Sequence, residues 1–289
     1  MTRLAPIVFS FTSALLGLVY TNIHADVLTA KQAMENSLNP LLQVTTSKGT
    51  IFIELFPNEA PNNVENFVAL ADGEVEIFDP ITETAFRPRY FDGIRFHHVV
   101  PGFLIQAGPP IHNPLGAPQQ VLKDEINADT LGLGSQTALN TNGVFNELLN
   151  IGNRINFEEL ILKPLYQKMN IASELELQKK QYEVLEILEN LSVKEVYENQ
   201  GFRFTTDHPT RAISRGIVAL ANQGPDSNEA AFFITLGDSP WLTGKHTVIG
   251  KVIEGMEVVD TIGEQPIDPL RSSQLSTVIY SIRRVDQAN

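Results

Sequence analysis

Apolar and polar residues alternate in several short runs along the chain, and these runs predict β-strands. Residues 42–46 and 51–55 alternate on either side of a Lys48-Gly49 turn, which is the pattern of a β-hairpin. Further strand-like runs occupy residues 94–100, 103–107, 216–221, 231–236, 247–252 and 278–285. Many short strands separated by turn signals favour a closed barrel or a sandwich, and the pattern alone does not choose between the two.

Helical periodicity appears in short stretches beside the strands and in one longer region. Residues 58–61 open a helix whose apolar positions recur at helical spacing as far as Gly73, a typical C-terminal stop. Residues 31–37 and 257–262 also predict short helices. The short helices therefore accompany a mainly β chain.

The segment 143–207 has a different composition, with little glycine and much Leu, Glu, Lys and Gln, and it predicts several helices. Pro164 is expected to kink or restart the first of them, because proline has no amide hydrogen. Residues 182, 185, 188 and 191 are apolar and lie three apart, which predicts one apolar stripe. Three pairs have the spacing of a capping box: Asn156 with Glu159, Ser173 with Glu176, and Ser192 with Glu195.

The composition is that of a folded globular protein, because 43% of the 289 residues are hydrophobic and 19% are charged. The formal net charge of -13 argues against nucleic-acid binding, since the chain offers no basic surface. The chain has no cysteine, which excludes disulfides, thiolate metal ligands and cysteine nucleophiles.

The N-terminus has the layout of a secretory signal peptide. A positive start at Arg3 precedes an uncharged apolar run over residues 4–20, and a short polar end reaches the small residue Ala25. The run is short for a membrane-spanning helix, which needs about 20 apolar residues, and an uncleaved anchor is the alternative. We therefore predict cleavage after Ala25, export to a bacterial periplasm and no stable membrane insertion after cleavage.

Two stretches are the most informative part of the chain: residues 91–108 (FDGIRFHHVVPGFLIQAG) and residues 221–246 (ANQGPDSNEAAFFITLGDSPWLTGKH). With an Ala-Pro-x-x-Val-x-Asn-Phe pattern over residues 60–67, they resemble the cyclophilins, a family of peptidyl-prolyl cis-trans isomerases. The resemblance covers residues 41–124 and 211–285 in the family's order. It implies a mainly β fold, a closed eight-stranded antiparallel barrel capped by two helices, with an α-helical insertion between barrel strands.

The expected organisation follows from the resemblance and the composition together. A signal peptide covers residues 1–25, a lead-in covers 26–40, the barrel covers 41–142 and 208–289, and the helical insertion covers 143–207. The insertion is either a decoration that packs its own small core or a docking surface for a protein partner beside the pocket.

The resemblance also implies a proline-binding pocket. It assigns catalysis to His98, Phe103 and Gln106. It assigns substrate binding to Leu104, Ala221, Asn222, Ala231, Phe233, Trp241, Leu242 and His246. Read without the resemblance, Phe103, Leu104 and Trp241 are ordinary core residues, and His246 is a structural histidine.

Two positions depart from the family. The family has an arginine where this chain has His98, and it usually has a glutamine where this chain has Ala231. Arginine is always charged and offers five donors, whereas an unperturbed histidine is mostly neutral at pH 7. We expect the first change to cost about 10²–10³ in rate, by analogy with removal of one preorganised donor. The second change removes one hydrogen bond to the substrate backbone.

The neighbouring residues are not expected to restore the missing charge. Arg95 precedes His98 by three positions, so strand alternation puts it on the opposite face unless a bulge intervenes. His97 and His98 likewise point to opposite faces and do not form a chelating pair. The sequence predicts no metal and no cofactor.

Three functions remain open from sequence. The first is an exported prolyl isomerase of reduced activity that acts on proline-containing peptides and unfolded exported proteins. The second is a proline-peptide-binding chaperone with little catalysis. The third is a docking protein that acts through its helical insertion. We favour the first.

Overall fold

The computed structural model of the chain describes residues 25–79, 83–113, 116, 118, 120–265 and 276–286. The predicted signal peptide lies outside these residues, apart from Ala25. Among the helices that are described, none combines the length and the apolar character that a bilayer crossing requires.

An eight-stranded antiparallel sheet forms the body of the fold, with the strands in the order β10-β1-β2-β9-β7-β8-β6-β5. A separate two-stranded hairpin consists of β3 and β4. The strands are β1 Leu41–Thr46, β2 Gly49–Leu55, β3 Ile77–Asp79, β4 Thr84–Phe86, β5 His98–Val100, β6 Leu104–Ala107, β7 Ile217–Leu220, β8 Phe232–Thr235, β9 Val248–Glu254 and β10 Ile279–Arg284.

The sheet is a strongly curved open half-barrel, so the prediction of a closed barrel was wrong. The edge strands β5 and β10 are not paired along their lengths. They are linked through an isolated bridge between Arg95 and Val278 and through a hydrogen bond from Phe96 N to Thr277 O (3.0 Å). The strand predicted at 94–100 is shorter in the structure, where β5 begins at His98. The residues just before His98 form the bridge to Val278 and do not continue the strand.

The two predicted helices beside the sheet are present as α2 (Pro61–Asp72) and α7 (Met256–Gly263), and both bury their apolar faces in the main core. Gly73 ends α2 with a left-handed φ of 77°, as its position predicted. Ala60 cannot cap α2, and the Glu125 carboxylate accepts hydrogen bonds from Asn62 N (3.1 Å) and Asn63 N (2.9 Å) instead. A distant acid thus replaces the local cap.

The lead-in helix corrects a further prediction, and the hairpin β3–β4 is an element that the sequence did not indicate. The helix α1 covers Val27–Ala33 rather than 31–37, because the Asp26 side chain accepts hydrogen bonds from Leu28 N and Thr29 N and starts the helix earlier. The chain between Gly73 and Tyr90 contains the antiparallel pair of β3 and β4, for which no strand was predicted.

Between β6 and β7 the chain forms a helical layer with a hydrophobic core of its own. Its helices are α3 Arg154–Phe157, α4 Lys163–Lys168, α5 Glu174–Asn190 and α6 Val193–Asn199. The helical path continues from α3 to α4 through a π-helical turn over Glu158–Leu162, so the chain changes helix type just before Pro164 and does not restart there. The second core takes residues from Ala128 to Phe202, on both sides of residue 143. The domain boundaries given above stay a prediction.

Local capping was predicted correctly at two of the three positions. The side chains of Ser173 with Glu176 and of Ser192 with Glu195 form complete capping boxes. The third was wrong, because Asn153 rather than Asn156 caps α3. The prediction of one apolar stripe over residues 182, 185, 188 and 191 was also wrong, because positions three apart drift around a helix that has 3.6 residues per turn. Tyr182 is 79% exposed as a result, whereas Leu191 is buried.

Alternation along β8 divides the sheet into two faces. Phe232 points into the main core, where its ring packs edge-on against Phe67 and Phe91. Phe233 points to the other face, in a smaller apolar cluster with Leu104. The smaller cluster ends at partly exposed residues, namely Phe103, Ala221 and Leu242, and the candidate site lies there.

Candidate functional site

A row of three side chains crosses the sheet at the candidate site. His98 on β5 is the direct partner of Gln106 on β6, and Gln106 is the direct partner of Phe233 on β8. Residues directly opposite each other in antiparallel strands share a face and have Cβ atoms about 4.5–5.5 Å apart. The sheet therefore brings the predicted His98, the predicted amide and the predicted floor residue together on one surface.

The row changes from apolar to solvated along its length. Phe233 is 2% exposed, Gln106 is partly exposed and His98 is exposed. Leu104, two residues from Gln106 on the same strand face, is 6% exposed and packs with Phe233. An apolar floor thus adjoins an amide and an imidazole that remain accessible to a ligand.

Two aromatic side chains from different loops pack against each other beside the apolar cluster that contains Phe233. The rings of Phe103 and Trp241 have centroids 5.7 Å apart and an interplanar angle of 31°. Both residues are partly exposed, as is Leu242 beside them. Phe103 therefore lies at the accessible margin of the apolar cluster with Trp241 against it, whereas Leu104 is buried within the cluster.

The turn before β6 holds Phe103 in place. Phe103 N donates to Val100 O (3.0 Å), and Leu236 N donates to Phe103 O (2.8 Å). Gly102 has a φ of 70°, which suits glycine. Because the backbone of Phe103 is bonded on both sides, its ring is presented to the pocket by a fixed turn.

His246 supports the floor from the side. Its ring packs edge-on against Phe233, with centroids 5.2 Å apart, and its Nδ1 lies 3.1 Å from Leu220 O. Burial lowers the pKa of His246 to about 4, so the ring is neutral at pH 7. Neutral Nδ1–H then donates to the carbonyl, and His246 is as much a structural histidine as a pocket residue.

Ala221, Asn222 and Ala231 form the opposite edge of the site. Asn222 Nδ2 donates to Lys245 O (2.9 Å), and Ala221 N donates to Ala231 O (2.8 Å). Ala231 is 7% exposed and brings no polar side-chain atom. The side-chain amide of Asn222 thus fixes the loop that carries His246.

The helical layer holds the loop that carries Trp241, a contact that the sequence did not predict. Tyr197 on α6 donates through its hydroxyl to Leu148 O (2.7 Å), and its ring lies 4.9 Å below Lys245 Nζ. A Cβ on Gly244 would lie 2.8 Å from Leu133 Cδ1 and 3.0 Å from Tyr197 Cε2. Burial lowers the pKa of Lys245 to about 8. No local pattern reveals these contacts, because they join segments far apart in sequence.

The charge that the family arginine supplies is not replaced by Arg95. Phe96 and Val99 lie three residues apart, yet both pack into the main core. The alternation of the two faces is therefore interrupted between them, and it cannot be used to say which face Arg95 shares. Arg95 is exposed and its Nη1 donates to Ser276 O (2.8 Å), at the bridge to β10. Its guanidinium is therefore engaged away from the row.

His97 belongs to a second histidine pair outside the row. Its ring centroid lies 4.5 Å from that of His112 and 6.5 Å from that of His98. Burial and the neighbouring His112 and His98 lower the pKa of His97 to about 4, and its Nδ1 is buried without a hydrogen-bond partner. Within the ranges described above, no three metal-ligating side chains cluster as a metal site.

A groove of about 430 Å³ continues from the row past Gln106 and Ala231. Its wall includes Pro109, Pro110, Ile111 and Val121, and Glu229 is the one charged residue among the described residues that line it. Sequence reasoning did not single out Glu229. Its place two residues before Ala231, within the 221–246 motif, was the available signal.

Comparison with known proteins agrees with these features. A sequence model described as "Cyclophilin type peptidyl-prolyl cis-trans isomerase/CLD" matches residues 41–284. Peptidyl-prolyl cis-trans isomerase B of Streptomyces anulatus is 28% identical over 236 residues, which cover 81% of this chain and 89% of that protein. Peptidyl-prolyl cis-trans isomerase-like 1 of Rhizopus delemar is 25% identical over 242 residues, covering 83% and 91%.

Solved structures were compared as well. The crystal structure of a Cryptosporidium parvum cyclophilin type peptidyl-prolyl cis-trans isomerase aligns with a TM-score of 0.49 at 18% identity, covering 86% of this chain and 99% of that one. A second crystal structure of the same protein, solved in the presence of the dipeptide Ala-Pro, aligns with a TM-score of 0.48 and 18% identity.

Proposed function

The chain belongs to the cyclophilin-type peptidyl-prolyl cis-trans isomerases, and on that premise we propose that it isomerises X-Pro bonds of exported proteins at the row His98, Gln106 and Phe233. The observation that carries the proposal is this row, in which a buried ring, an amide and an imidazole follow one another on neighbouring strands. Phe103 and Trp241 supply the aromatic wall beside it.

Rotation about an X-Pro bond requires no covalent step. The barrier is about 20 kcal/mol, because the nitrogen lone pair is delocalised into the carbonyl group. In the twisted transition state the nitrogen is pyramidal and more basic, so a donor beside it stabilises that state more than the planar one. The apolar floor at Phe233 and Leu104 holds the proline ring, which has no N–H to satisfy.

In this account His98 occupies the position from which the family's arginine donates to the proline nitrogen. Gln106, directly opposite, holds the substrate backbone through its amide. Because histidine offers fewer donors than arginine and no fixed charge, we propose that the enzyme is slower than an arginine-containing relative by about 10²–10³.

The second candidate function is binding of proline-containing segments with little catalysis, as in a chaperone. It is favoured by two features of the site. Arg95 is bonded to Ser276 O rather than turned toward the row, and Ala231 leaves the edge beside Ala221 without a side-chain amide. The pocket would still bind a proline ring through Phe103, Phe233 and Trp241.

The deciding experiment is the isomerisation rate of a short X-Pro peptide with the purified full-length chain and with Phe103→Ala. We expect acceleration by the parent protein and loss of at least about tenfold in Phe103→Ala, since the aromatic wall is removed. Phe78→Ala is the matched control, because Phe78 is a phenylalanine of the separate β3–β4 hairpin. A parent protein that binds the peptide without acceleration supports the chaperone instead.

We also propose that the mature protein starts at Asp26 and works in the periplasm. The support is the signal-like sequence up to Ala25, followed at once by a residue that caps α1. N-terminal sequencing of protein from the periplasmic and membrane fractions tests this. A start at Met1 in the membrane fraction would mean that the segment is kept as an anchor.

A docking role for the helical layer stays a prediction. It is supported by exposed apolar side chains on α5, of which Tyr182 is 79% and Leu185 54% exposed. Pulldown with the parent and with a Tyr182→Ser/Leu185→Ser variant addresses it, and identical partners for both would remove this candidate.

A further inference from the structure

The groove beside the row combines an apolar wall with a single acid. It has a volume of about 430 Å³, and it shares Gln106 and Ala231 with the candidate site. Pro109, Pro110 and Ile111 line one side, and the Ile111 side chain is 87% exposed. A ligand bound in the pocket can therefore extend a neighbouring side chain along this wall.

Ala231 determines how much room the groove offers. The family usually carries glutamine here, whereas the methyl group of Ala231 ends at the groove wall. A longer side chain at this position would fill part of the same space. The change that removes a hydrogen bond from the site thus also leaves this part of the groove free of a longer side chain.

Glu229 supplies the charge at this groove. It is the one ionisable residue among those that line the groove, and no hydrogen bond or salt bridge joins its carboxylate to another described residue. A carboxylate that has no partner among the described residues and lies beside an apolar wall is complementary to a side chain with an aliphatic stem and a cationic head.

We propose that Glu229 is a specificity-determining residue and that the enzyme prefers substrates with Arg or Lys within two residues before the proline. The inference rests on the proposed function, since it assumes that the proline ring occupies the floor at Phe233. The stem of the basic residue lies along Pro109–Ile111, and its head meets the Glu229 carboxylate. Arginine is favoured over lysine because its planar fork can donate two parallel hydrogen bonds to a carboxylate.

The test compares tetrapeptides that differ only in one residue before the proline, with Arg, Ala or Glu at each of the two positions. Both the isomerisation kcat/KM and the affinity, followed by Trp241 fluorescence, are measured with the full-length protein. We expect a preference for Arg over Glu of about tenfold at low ionic strength, at one of the two positions, falling in high salt. In Glu229→Gln the ratio should approach one. Glu186→Gln, an equal charge change on the exposed side of α5, should keep the parent's ratio.

The outcomes separate this inference from the proposed function. Equal kcat/KM and equal affinity for the Arg and Glu peptides in the parent overturn the inference alone. A preference that survives in Glu229→Gln overturns it as well. Arg-selective binding without turnover of any peptide supports the inference and contradicts the isomerase. Ala231→Gln gives a second check, because a longer side chain in the groove is expected to reduce the advantage of the Arg peptide.

Discussion

His98 lies directly opposite Gln106 in the antiparallel pair of β5 and β6. Direct partners on one face are close enough for one ligand to contact both side chains. The pair therefore fixes where an X-Pro bond must lie if both residues take part: over β6, with the ring toward Phe233. The replacement of the family's arginine by His98 can be tested at a known position on the sheet.

We predict that His98→Arg raises kcat/KM for an X-Pro peptide by about 10- to 100-fold, because a fixed cation with more donors would then face the proline nitrogen. Stopped-flow isomerisation at pH 7.5 measures it. His208→Arg, in the connection that leads to β7, is the matched control for the added charge. An unchanged rate in His98→Arg would mean that β5 does not hold the arginine in reach of the substrate.

We predict that Gly244→Ala weakens substrate binding, since its Cβ would lie 2.8 Å from Leu133 Cδ1 and 3.0 Å from Tyr197 Cε2 and would push the Trp241 loop off the helical layer. We expect a rise in KM of about fivefold or more, with a smaller change in kcat, and a shifted emission of Trp241, the only tryptophan.

Gly93→Ala is the control for that experiment. Gly93 has a φ of 78°, close to the 83° of Gly244, but nothing lies within 4 Å of its added Cβ. Both variants carry the backbone cost of a positive φ, about 1 kcal/mol, and only Gly244→Ala carries the clash. Equal KM values for the two variants would show that the helical layer does not position the pocket.

We predict a loss of stability at acid pH that depends on His246. Burial holds its folded-state pKa at about 4, whereas the unfolded chain binds this proton below about pH 6.5. The stability contributed by the neutral ring is therefore complete above pH 6.5 and is lost as the pH falls toward 4. Between pH 7.5 and 4.5, the difference in unfolding free energy between parent and His246→Gln should narrow by about 2–3 kcal/mol. Urea unfolding at both pH values measures this, and a constant difference would contradict a neutral His246.

We predict that Gln200→Ala destabilises the helical layer by about 1 kcal/mol. Pro164 has no amide hydrogen for the carbonyl four residues earlier, and Gln200 Nε2 donates to that carbonyl, Leu160 O, at 2.8 Å. In a Pro164→Ala background, Gln200→Ala should cost less stability, because the new backbone N–H of residue 164 can then donate to Leu160 O. The control is Gln178→Ala on the exposed side of α5, which should change stability by less than about 0.5 kcal/mol.

The fold was predictable wherever local patterns and tertiary contacts agree. Alternation located the hairpin of β1 and β2, and Gly73 located the end of α2. Prediction failed where a distant partner decides the outcome. The sheet edge at Arg95 is bridged to Val278 rather than paired along a strand, and no pattern near Arg95 contains that information.

The candidate site was predictable in its members and less so in its surroundings. The family motifs named His98, Gln106 and Phe233, and the strand register brings these three together. They could not name Tyr197, which reaches the Trp241 loop from a helix that the family resemblance does not cover. A motif records which residues meet the substrate, whereas the residues that hold a loop from behind depend on three-dimensional packing.

The most direct test of the central claim is exchange spectroscopy by NMR on an isotopically labelled X-Pro peptide in the presence of the full-length protein. Uncatalysed exchange takes about 10–100 s at 25 °C. If the chain is an isomerase, we expect cis–trans exchange cross-peaks within about a second, together with shifts of the Trp241 indole signal, and loss of the cross-peaks in Phe103→Ala. Shifts of Trp241 without faster exchange would contradict an isomerase and leave a proline-peptide binder.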